Sequence, residues 1–155
     1  MTQIIFISDT HFFHLNSLKF YNADGTKLRP WEFTEEGVNA MNETMVSNWN
    51  EVVCPNDLVY HLGDVTFNNK NLKILERLKG RKRLILGNHD NYDPNFHNKH
   101  FEKIYASHRV DKFLLTHIPI HKDSIPEGYI NMHGHIHGEI INDPFYLNVC
   151  VEQIN

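Results

Sequence analysis

The sequence contains little cysteine: Cys54 and Cys150 are the only two in 155 residues. Two cysteines are too few for the disulfide framework of a small secreted domain. We therefore expect two free, buried thiols in a protein that resides in a reducing compartment.

An excess of positive charge is also absent. The 15 lysines and arginines are outnumbered by 19 aspartates and glutamates, which gives a formal net charge of −4. A mildly acidic domain, with a pI of about 6.3, is not expected to bind long nucleic acid tightly.

Long apolar runs are missing as well, and no stretch approaches the length that spans a membrane. The short apolar run at residues 4–7 has no basic region before it and is followed closely by Asp9. This pattern predicts a strand rather than a signal peptide. The expected location is the cytoplasm, with no membrane partner.

What is present is the composition of an ordinary globular protein, with 41 % hydrophobic residues. The length predicts a single domain over residues 1–155. Histidine is unusually frequent, with 12 copies against 15 lysines and arginines. Because histidine is the commonest metal ligand and a frequent general acid or base, the histidines that cluster are candidates for function.

The first half of the chain alternates predicted strands and helices, which is typical of a parallel sheet with right-handed crossovers. The first helix begins after Thr34, a favourable N-cap, and the second runs from about Asn69 to a C-terminal glycine, Gly80. Residues 12–33 are expected to form a packed, aromatic-rich loop. The predicted strands are residues 3–8, 58–62 and 84–86 and, with no further long helix, residues 103–106, 110–116, 130–132 and 146–151.

Five of these apolar runs end in side chains that can coordinate a metal or move a proton. In open α/β sheets, ligands bind at the carboxyl ends of strands, so such residues can meet at one edge. The donors are carboxylate, imidazole and amide, a set that suits manganese, iron, zinc, nickel or cobalt. They outnumber the needs of one ion, and two ions sharing a bridging carboxylate commonly drive displacement at phosphorus. The residues are Asp9, His11, Asp64, Asn88, His89, His117, His135 and His137.

Five short motifs at these strand ends resemble those of the calcineurin-like metallophosphoesterases, in the family's order and across nearly the whole chain. Each motif is weak alone, but five together at plausible spacing are specific. The first two blocks are most similar to those of small bacterial and phage members. The motifs are Asp9-Thr10-His11, Gly63-Asp64, Gly87-Asn88-His89-Asp90, His117 within Thr116-His117-Ile118-Pro119, and Gly134-His135-Ile136-His137.

The resemblance implies a fold of the α/β class: two stacked sheets that form a β-sandwich flanked by helices, in four layers. It also implies two divalent metal ions per chain, with manganese as the first choice and iron, zinc, nickel or cobalt as alternatives. Asp9, His11 and His137 would hold one ion. Asn88, His117 and His135 would hold the other, and Asp64 would bridge the two.

The resemblance further implies that His89 is catalytic rather than a ligand. It would face the substrate phosphate, stabilise the leaving oxygen and protonate it, while Asp90 would orient its ring. A hydroxide held between the ions would attack phosphorus in line. Spacing alone does not distinguish the role of His89 from that of its neighbour Asn88.

The expected function is hydrolysis of a small phosphoester, with a phosphodiester preferred over a phosphomonoester. The short chain leaves no room for a cap domain, so the substrate is expected to be small or a flexible end. Two rivals are a nuclease acting on nucleic-acid ends and a non-catalytic scaffold of the same fold. The lack of a basic surface argues against the first, and the intact His89 against the second. The oligomeric state stays open.

Two further residues are candidates for contact with the substrate phosphate. His14 follows the first ligand pair closely, although it could equally be a loop histidine satisfied by the backbone. Arg29 could clamp a phosphate with its planar guanidinium, although a surface arginine before a proline turn is the preferred interpretation. His61 is expected in the core. The basic residues 79–83 are expected to form a solvated face away from the site.

Overall fold

A computed structural model describes residues 2–154 and contains two four-stranded sheets. The first sheet is parallel and has the order β1 (Ile4–Ile7), β2 (Leu58–His61), β3 (Arg81–Ile85) and β4 (Lys103–Tyr105). The second has the order β5 (His108–Val110), β6 (Phe113–Leu115), β7 (Ile130–His133) and β8 (Tyr146–Asn148). Only the β5–β6 pair is antiparallel among these described strands. The predicted α/β class and two-sheet sandwich flanked by helices are confirmed.

The main helix, α1 (Glu35–Val52), begins where the sequence predicted. The Thr34 side chain accepts a hydrogen bond from the Gly37 N–H at 3.0 Å, which satisfies one of the free donors of the first turn. The other two α-helices within residues 2–154 are single turns, α2 (Pro94–His97) and α3 (Val151–Ile154), and a short 3-10 helix covers Lys122–Ser124. No helix within residues 2–154 is long and apolar enough to cross a membrane.

Side-chain alternation along β2 divides the core in two. Val59 faces outward and packs with α1 residues such as Met41 in one cluster. Tyr60 faces the second sheet and packs with Leu115 and Met132 in the other. Because both faces of the first sheet are covered, its strands are held firmly and their carboxyl ends are fixed relative to the second sheet.

The second predicted helix differs in type. Residues Asn69–Arg77 form a 3-10 helix, and Gly80 lies beyond its end at a φ of +83°. Leu72, Leu75 and Leu78 are buried and recur every third residue, which matches the three-residue turn of a 3-10 helix better than the α-helical period. The predicted loop at residues 12–33 likewise contains a short 3-10 helix, Leu15–Lys19.

Other boundaries also required correction. The predicted strand at residues 110–116 is a hairpin of β5 and β6, because Asp111 adopts a left-handed φ of +51° that reverses the chain. The strand predicted at residues 146–151 ends at Asn148. Both cysteines are free, but Cys54 is exposed rather than buried because it lies in the turn before β2. Arg81 to Arg83 lie within β3, at the end away from the predicted ligands, and only Arg81 is exposed.

Candidate metal centre

The predicted ligands come from the carboxyl ends of strands in both sheets. Asp9, Asp64 and Asn88 follow β1, β2 and β3 of the first sheet. The second sheet supplies its residues from the ends of β6 and β7, namely His117, His135 and His137. Backbone hydrogen bonds join the strand ends within each sheet: the Asp9 N–H donates to the Gly63 carbonyl at 3.0 Å, and the Gly134 N–H donates to the His117 carbonyl at 2.9 Å. The Ser8 N–H joins the first sheet to the second by donating to the Val149 carbonyl at 2.9 Å.

Five of the predicted ligands adopt left-handed backbone conformations that non-glycine residues rarely occupy. Such conformations cost free energy and persist where the surroundings impose them, often at functional sites. Here they turn each loop sharply so that its side chain points back toward the shared edge. The residues and φ angles are Asp9 +59°, His11 +47°, Asp64 +57°, His135 +71° and His137 +47°.

One group of donors gathers around Asp9 and His11. His11 Nε2 lies 3.6 Å from Asp9 Oδ1 and 3.7 Å from Asp64 Oδ2. His137 Nε2 lies 3.9 Å from the same Asp9 oxygen. These three residues and Asp64 therefore point their donor atoms into one small space, and they are the residues that the resemblance assigned to the first ion and its bridge.

A second group gathers on the other side of Asp64. His117 Nε2 lies 3.5 Å from Asp64 Oδ2 and 2.9 Å from Asn88 Oδ1. His135 offers a ring nitrogen within 4.8 Å of the donor atoms of Asp64 and His117. Asp64 is thus common to both groups.

The chemistry of these donors fits metal ions. Asp9 Oδ1 and both ring nitrogens of His11 are buried without a hydrogen-bond partner among residues 2–154, and such burial is costly unless something else satisfies them. His117 Nδ1 faces the Leu62 carbonyl at 2.7 Å and must donate to it, so Nε2 faces two further acceptors, Asn88 Oδ1 and Asp64 Oδ2. Burial alone would lower the pKa of His117, but its interactions with Asp64 and Asp9 raise it, so this space favours a positive charge, which a proton or a metal ion can supply.

The carboxylates of the site are held ionised. Burial alone would raise the pKa of Asp9, but its interactions with His11, His117 and the His135 N–H lower it below the ordinary value. Burial acts on Asp64 in the same way, and its hydrogen bond and charge interaction with His117 lower its pKa as well. Burial lowers the pKa of His11, which favours the neutral, metal-binding form of that ring.

Glycine is required where backbones approach the ligands closely. A Cβ on Gly87 would collide with Asp64 Oδ1, and a Cβ on Gly134 would collide with Asp9 Oδ2. The Asp64 carboxylate therefore packs directly against the backbone of Gly87, and the Asp9 carboxylate against that of Gly134. Any side chain at either position would displace a ligand.

Asp90 binds the backbone of the neighbouring loops rather than the His89 ring, which corrects the orienting role that the resemblance implied. Its carboxylate accepts backbone N–H groups of Asp64 at 2.8 Å, Val65 at 3.0 Å and Gly87 at 2.9 Å. None of its hydrogen bonds within residues 2–154 goes to the His89 ring. Burial raises the pKa of Asp90, although the three N–H donors oppose that effect.

His89 and His14 lie beside the ligands around one aromatic side chain, Phe67. The exposed His89 ring has its centroid 4.3 Å from that of Phe67 and 6.1 Å from that of His11. The His14 ring lies 4.1 Å from Phe67, and burial lowers its pKa to about 4. His14 is therefore neutral at neutral pH, and its contact with substrate phosphate stays a prediction.

Arg29 fits neither interpretation of the sequence. It is only 3 % exposed, and its guanidinium is engaged inside the protein with backbone carbonyls and with Glu152. It can neither clamp a phosphate nor lie on the surface. A basic residue before Pro30 gives no local sign of burial, because its partners are distant in sequence.

Two buried residues beside the ligands were missed. Glu152 Oε1 lies 3.1 Å from His137 Nδ1, and the Cys150 thiol donates to Asp9 Oδ2 at 3.2 Å. Both follow the last strand, so the strand-end argument that selected the ligands could have selected them as well. His61 lies in the core as expected, with Nε2 3.0 Å from Thr10 Oγ1.

Comparison with known proteins agrees with this geometry. The sequence profile of the family described as "Calcineurin-like phosphoesterase" matches residues 2–152. An uncharacterized protein of Methanocaldococcus jannaschii is 36 % identical over 167 aligned positions, which cover 100 % of this chain and 85 % of the archaeal protein. The gene 66 protein of Mycobacterium phage L5 is 27 % identical, with 91 % of this chain and 80 % of the phage protein covered.

A solved structure gives the same result for the fold. The crystal structure of a protein of unknown function from Aquifex aeolicus matches with a TM-score of 0.71 and 29 % identity, covering 99 % of this chain and 92 % of that chain. With its ligand groups gathered at the strand ends of a two-sheet sandwich, the chain belongs to the calcineurin-like phosphoesterase family of metal-dependent phosphoester hydrolases.

Proposed function

We propose that this chain hydrolyses a small phosphodiester at a centre of two divalent metal ions bridged by Asp64. The proposal is carried by the position of one oxygen. Asp64 Oδ2 lies 3.7 Å from His11 Nε2 and 3.5 Å from His117 Nε2, so it faces an imidazole of each donor group. A carboxylate in this position suits a ligand shared by two ions.

When bound, the ions would neutralise charge on the phosphoryl oxygens and lower the pKa of the attacking water. The oxygen and nitrogen donors suit manganese first and iron, zinc, nickel or cobalt as alternatives. His89 belongs to neither donor group, and its exposed ring is free to give a proton to the leaving oxygen. Its backbone N–H donates to Asp64 Oδ1 at 2.9 Å, which fixes it beside the bridging carboxylate.

Two clefts beside the donor groups support a diester. One, of about 490 Å³, opens next to Asn88 and His117 and is lined largely by apolar side chains. The other, of about 400 Å³, opens next to His137 and includes Phe20 and Tyr21. A phosphodiester carries a substituent on each side of phosphorus, whereas a monoester carries one. A cleft beside each ion gives room for both substituents.

The direct test compares two chromogenic substrates in the presence of manganese. We expect bis-p-nitrophenyl phosphate to be hydrolysed with a higher kcat/KM than p-nitrophenyl phosphate. Faster cleavage of single-stranded oligonucleotide ends than of the small diester would favour the nuclease instead. Hydrolysis of none of these substrates would favour the non-catalytic scaffold.

The cleft next to Asn88 can be tested separately. Ala106 is exposed and lines this cleft, so Ala106→Trp should obstruct it without disturbing the core. We expect kcat/KM for the diester to fall about tenfold or more, while the monoester changes little. Ala40→Trp on the exposed face of α1 is the matched control. Equal losses for diester and monoester would remove the support for a diester.

A further inference from the structure

The buried pair Arg29–Glu152 lies directly behind the donor group of the first ion. Arg29 Nη2 lies 2.7 Å from Glu152 Oε1, and the two side chains are 3 % and 2 % exposed. The partners are 123 residues apart in sequence. A buried ion pair is weak evidence for a gain in stability, because desolvation of two charges offsets their attraction. Its contacts therefore need another explanation.

The Arg29 side of the pair holds the strained loop that carries two ligands. Its Nη2 donates to the Asp9 carbonyl at 2.6 Å and its Nη1 to the Thr10 carbonyl at 3.0 Å. The flanking ligands Asp9 and His11 both have left-handed φ angles. A rigid, planar fork that bonds consecutive carbonyls stabilises this conformation in a way that a flexible lysine cannot reproduce.

Glu152 sets the tautomer of His137, the third predicted ligand of the first ion. The Glu152 carboxylate is paired with the Arg29 guanidinium at 2.7 Å, so it is ionised and only accepts hydrogen bonds. His137 Nδ1, at 3.1 Å, must then carry the proton. The other nitrogen, Nε2, is left free and lies on the side of Asp9 Oδ1.

One oxygen of Glu152 makes all of these contacts. Oε1 accepts from Arg29 and from His137, while Oε2 is buried without a hydrogen-bond partner among residues 2–154. Because the pair is neutral as a whole, it adds no net charge beside the ion. Its effect on the site is therefore geometric.

We propose that Arg29 and Glu152 are positioning residues for the first ion, acting as one unit that fixes the Asp9–His11 loop and the ring nitrogen of His137. This inference rests on the two-ion centre proposed above. Because Asn88, His117 and His135 make no hydrogen bond to either residue within the described chain, the unit serves only one of the two ions.

The first test measures manganese binding to the purified full chain by calorimetry and by metal analysis. Wild type is expected to bind two ions. Glu152→Ala removes the contacts of Oε1. Arg29→Lys keeps the positive charge but loses the planar guanidinium that bonds the two carbonyls. Each variant should weaken one ion about tenfold to 100-fold and leave the other ion near wild type. Glu152→Gln keeps an oxygen in the Oε1 position and should lose much less affinity.

The matched control is the surface pair Arg77–Glu43, whose side chains are 49 % and 62 % exposed. Glu43→Ala should leave both ions unchanged. Unchanged binding of both ions in folded Glu152→Ala and Arg29→Lys would overturn the inference. An equal loss of both ions would do the same, because the effect would then be general.

A second measurement needs no metal and separates this inference from the two-ion function. Nitrogen NMR of the imidazoles in the metal-free protein should show the Nδ1–H tautomer for His137. The His137 signals are identified as those that disappear in the His137→Asn variant. Glu152→Ala should abolish the preference for that tautomer, and Glu152→Gln should restore it. If wild type binds fewer than two ions, the two-ion function fails, whereas an unchanged tautomer in Glu152→Ala overturns the role of Glu152.

Discussion

At the scale of single residues, Asn88 and His89 are neighbours in the chain with different surroundings. Asn88 Oδ1 lies 2.9 Å from His117 Nε2, within the second donor group. The His89 ring instead lies beside Phe67, open to solvent. This separation arises from the turn after β3, which sends consecutive side chains in different directions. We therefore propose His89 as a proton donor to the substrate rather than as a further metal ligand.

His89→Ala is therefore expected to lower kcat by about 100-fold to 10,000-fold, the usual contribution of a positioned general acid. The metal content should stay at the wild-type value, because His89 belongs to neither donor group. Activity assays paired with metal analysis check both statements. Loss of an ion together with activity would mean that His89 is a ligand.

His61 makes the stability of the metal-free protein dependent on pH. Burial lowers the pKa of this fully enclosed ring from 6.5 to about 3, and its Nδ1 accepts the Gly63 N–H at 3.2 Å. The folded state keeps the ring neutral, whereas the unfolded chain takes up a proton below about pH 6.5. The contribution of His61 is thus complete above that pH and is lost as the pH falls toward about 3.

The expected change is up to about 1.4 kcal/mol per pH unit in the free energy of unfolding. Denaturant titrations in the presence of a chelator, at about pH 7 and pH 5, measure this slope. His61→Gln removes the titrating group and should make the slope shallower. An identical slope in the variant would show that His61 does not carry the effect.

At the scale of secondary-structure elements, α1 is the part of the fold that local sequence determines most completely. Thr34 caps it, while Glu35 and Glu36 lie in its first turn, where negative charge is favourable. The second helix was less predictable. Its leucines at every third residue fit a 3-10 helix. A 3-10 helix of nine residues is uncommon, however, so the pattern was interpreted as an α-helix.

Thr34→Ala should reduce the free energy of unfolding by about 1 kcal/mol, because the Gly37 N–H loses its acceptor. Thr34→Ser, which keeps the hydroxyl, should stay close to wild type. Hydrolysis of a small diester should be equally fast in all three proteins, since none of the described hydrogen bonds of Thr34 is made to a residue of the donor groups. A stability loss of the same size in Thr34→Ser would show that the hydroxyl is not the stabilising group.

At the scale of the whole molecule, the donor atoms belong to two sheets, which the described backbone joins at the Ser8–Cys150 bridge. Asp64 from the first sheet and His117 from the second approach to 3.5 Å. Ions bound there would tie the two sheets together at their carboxyl ends. Because the unfolded chain cannot assemble such a site, ion binding stabilises the folded state.

Chelation should therefore lower the melting temperature. At about 100 times the Kd, each ion adds about 2.7 kcal/mol to stability, a difference that thermal unfolding in manganese and in chelator can measure. Asp64→Ala should bind neither ion tightly and should show almost no manganese-dependent shift. The bridging arrangement would be contradicted if manganese did not change the melting temperature of the wild type, or if Asp64→Ala bound two ions tightly.

The sequence by itself determined most of the strands, the helix after Thr34 and the set of polar residues at strand ends, because apolar periodicity, capping and turn residues act locally. The family motifs fixed which of these residues to consider together. Only the tertiary structure decided the surroundings of Arg29, Asp90 and Glu152. Their partners, such as Glu152 for Arg29, come from distant segments, and no local pattern encodes a contact that exists only after those segments fold together.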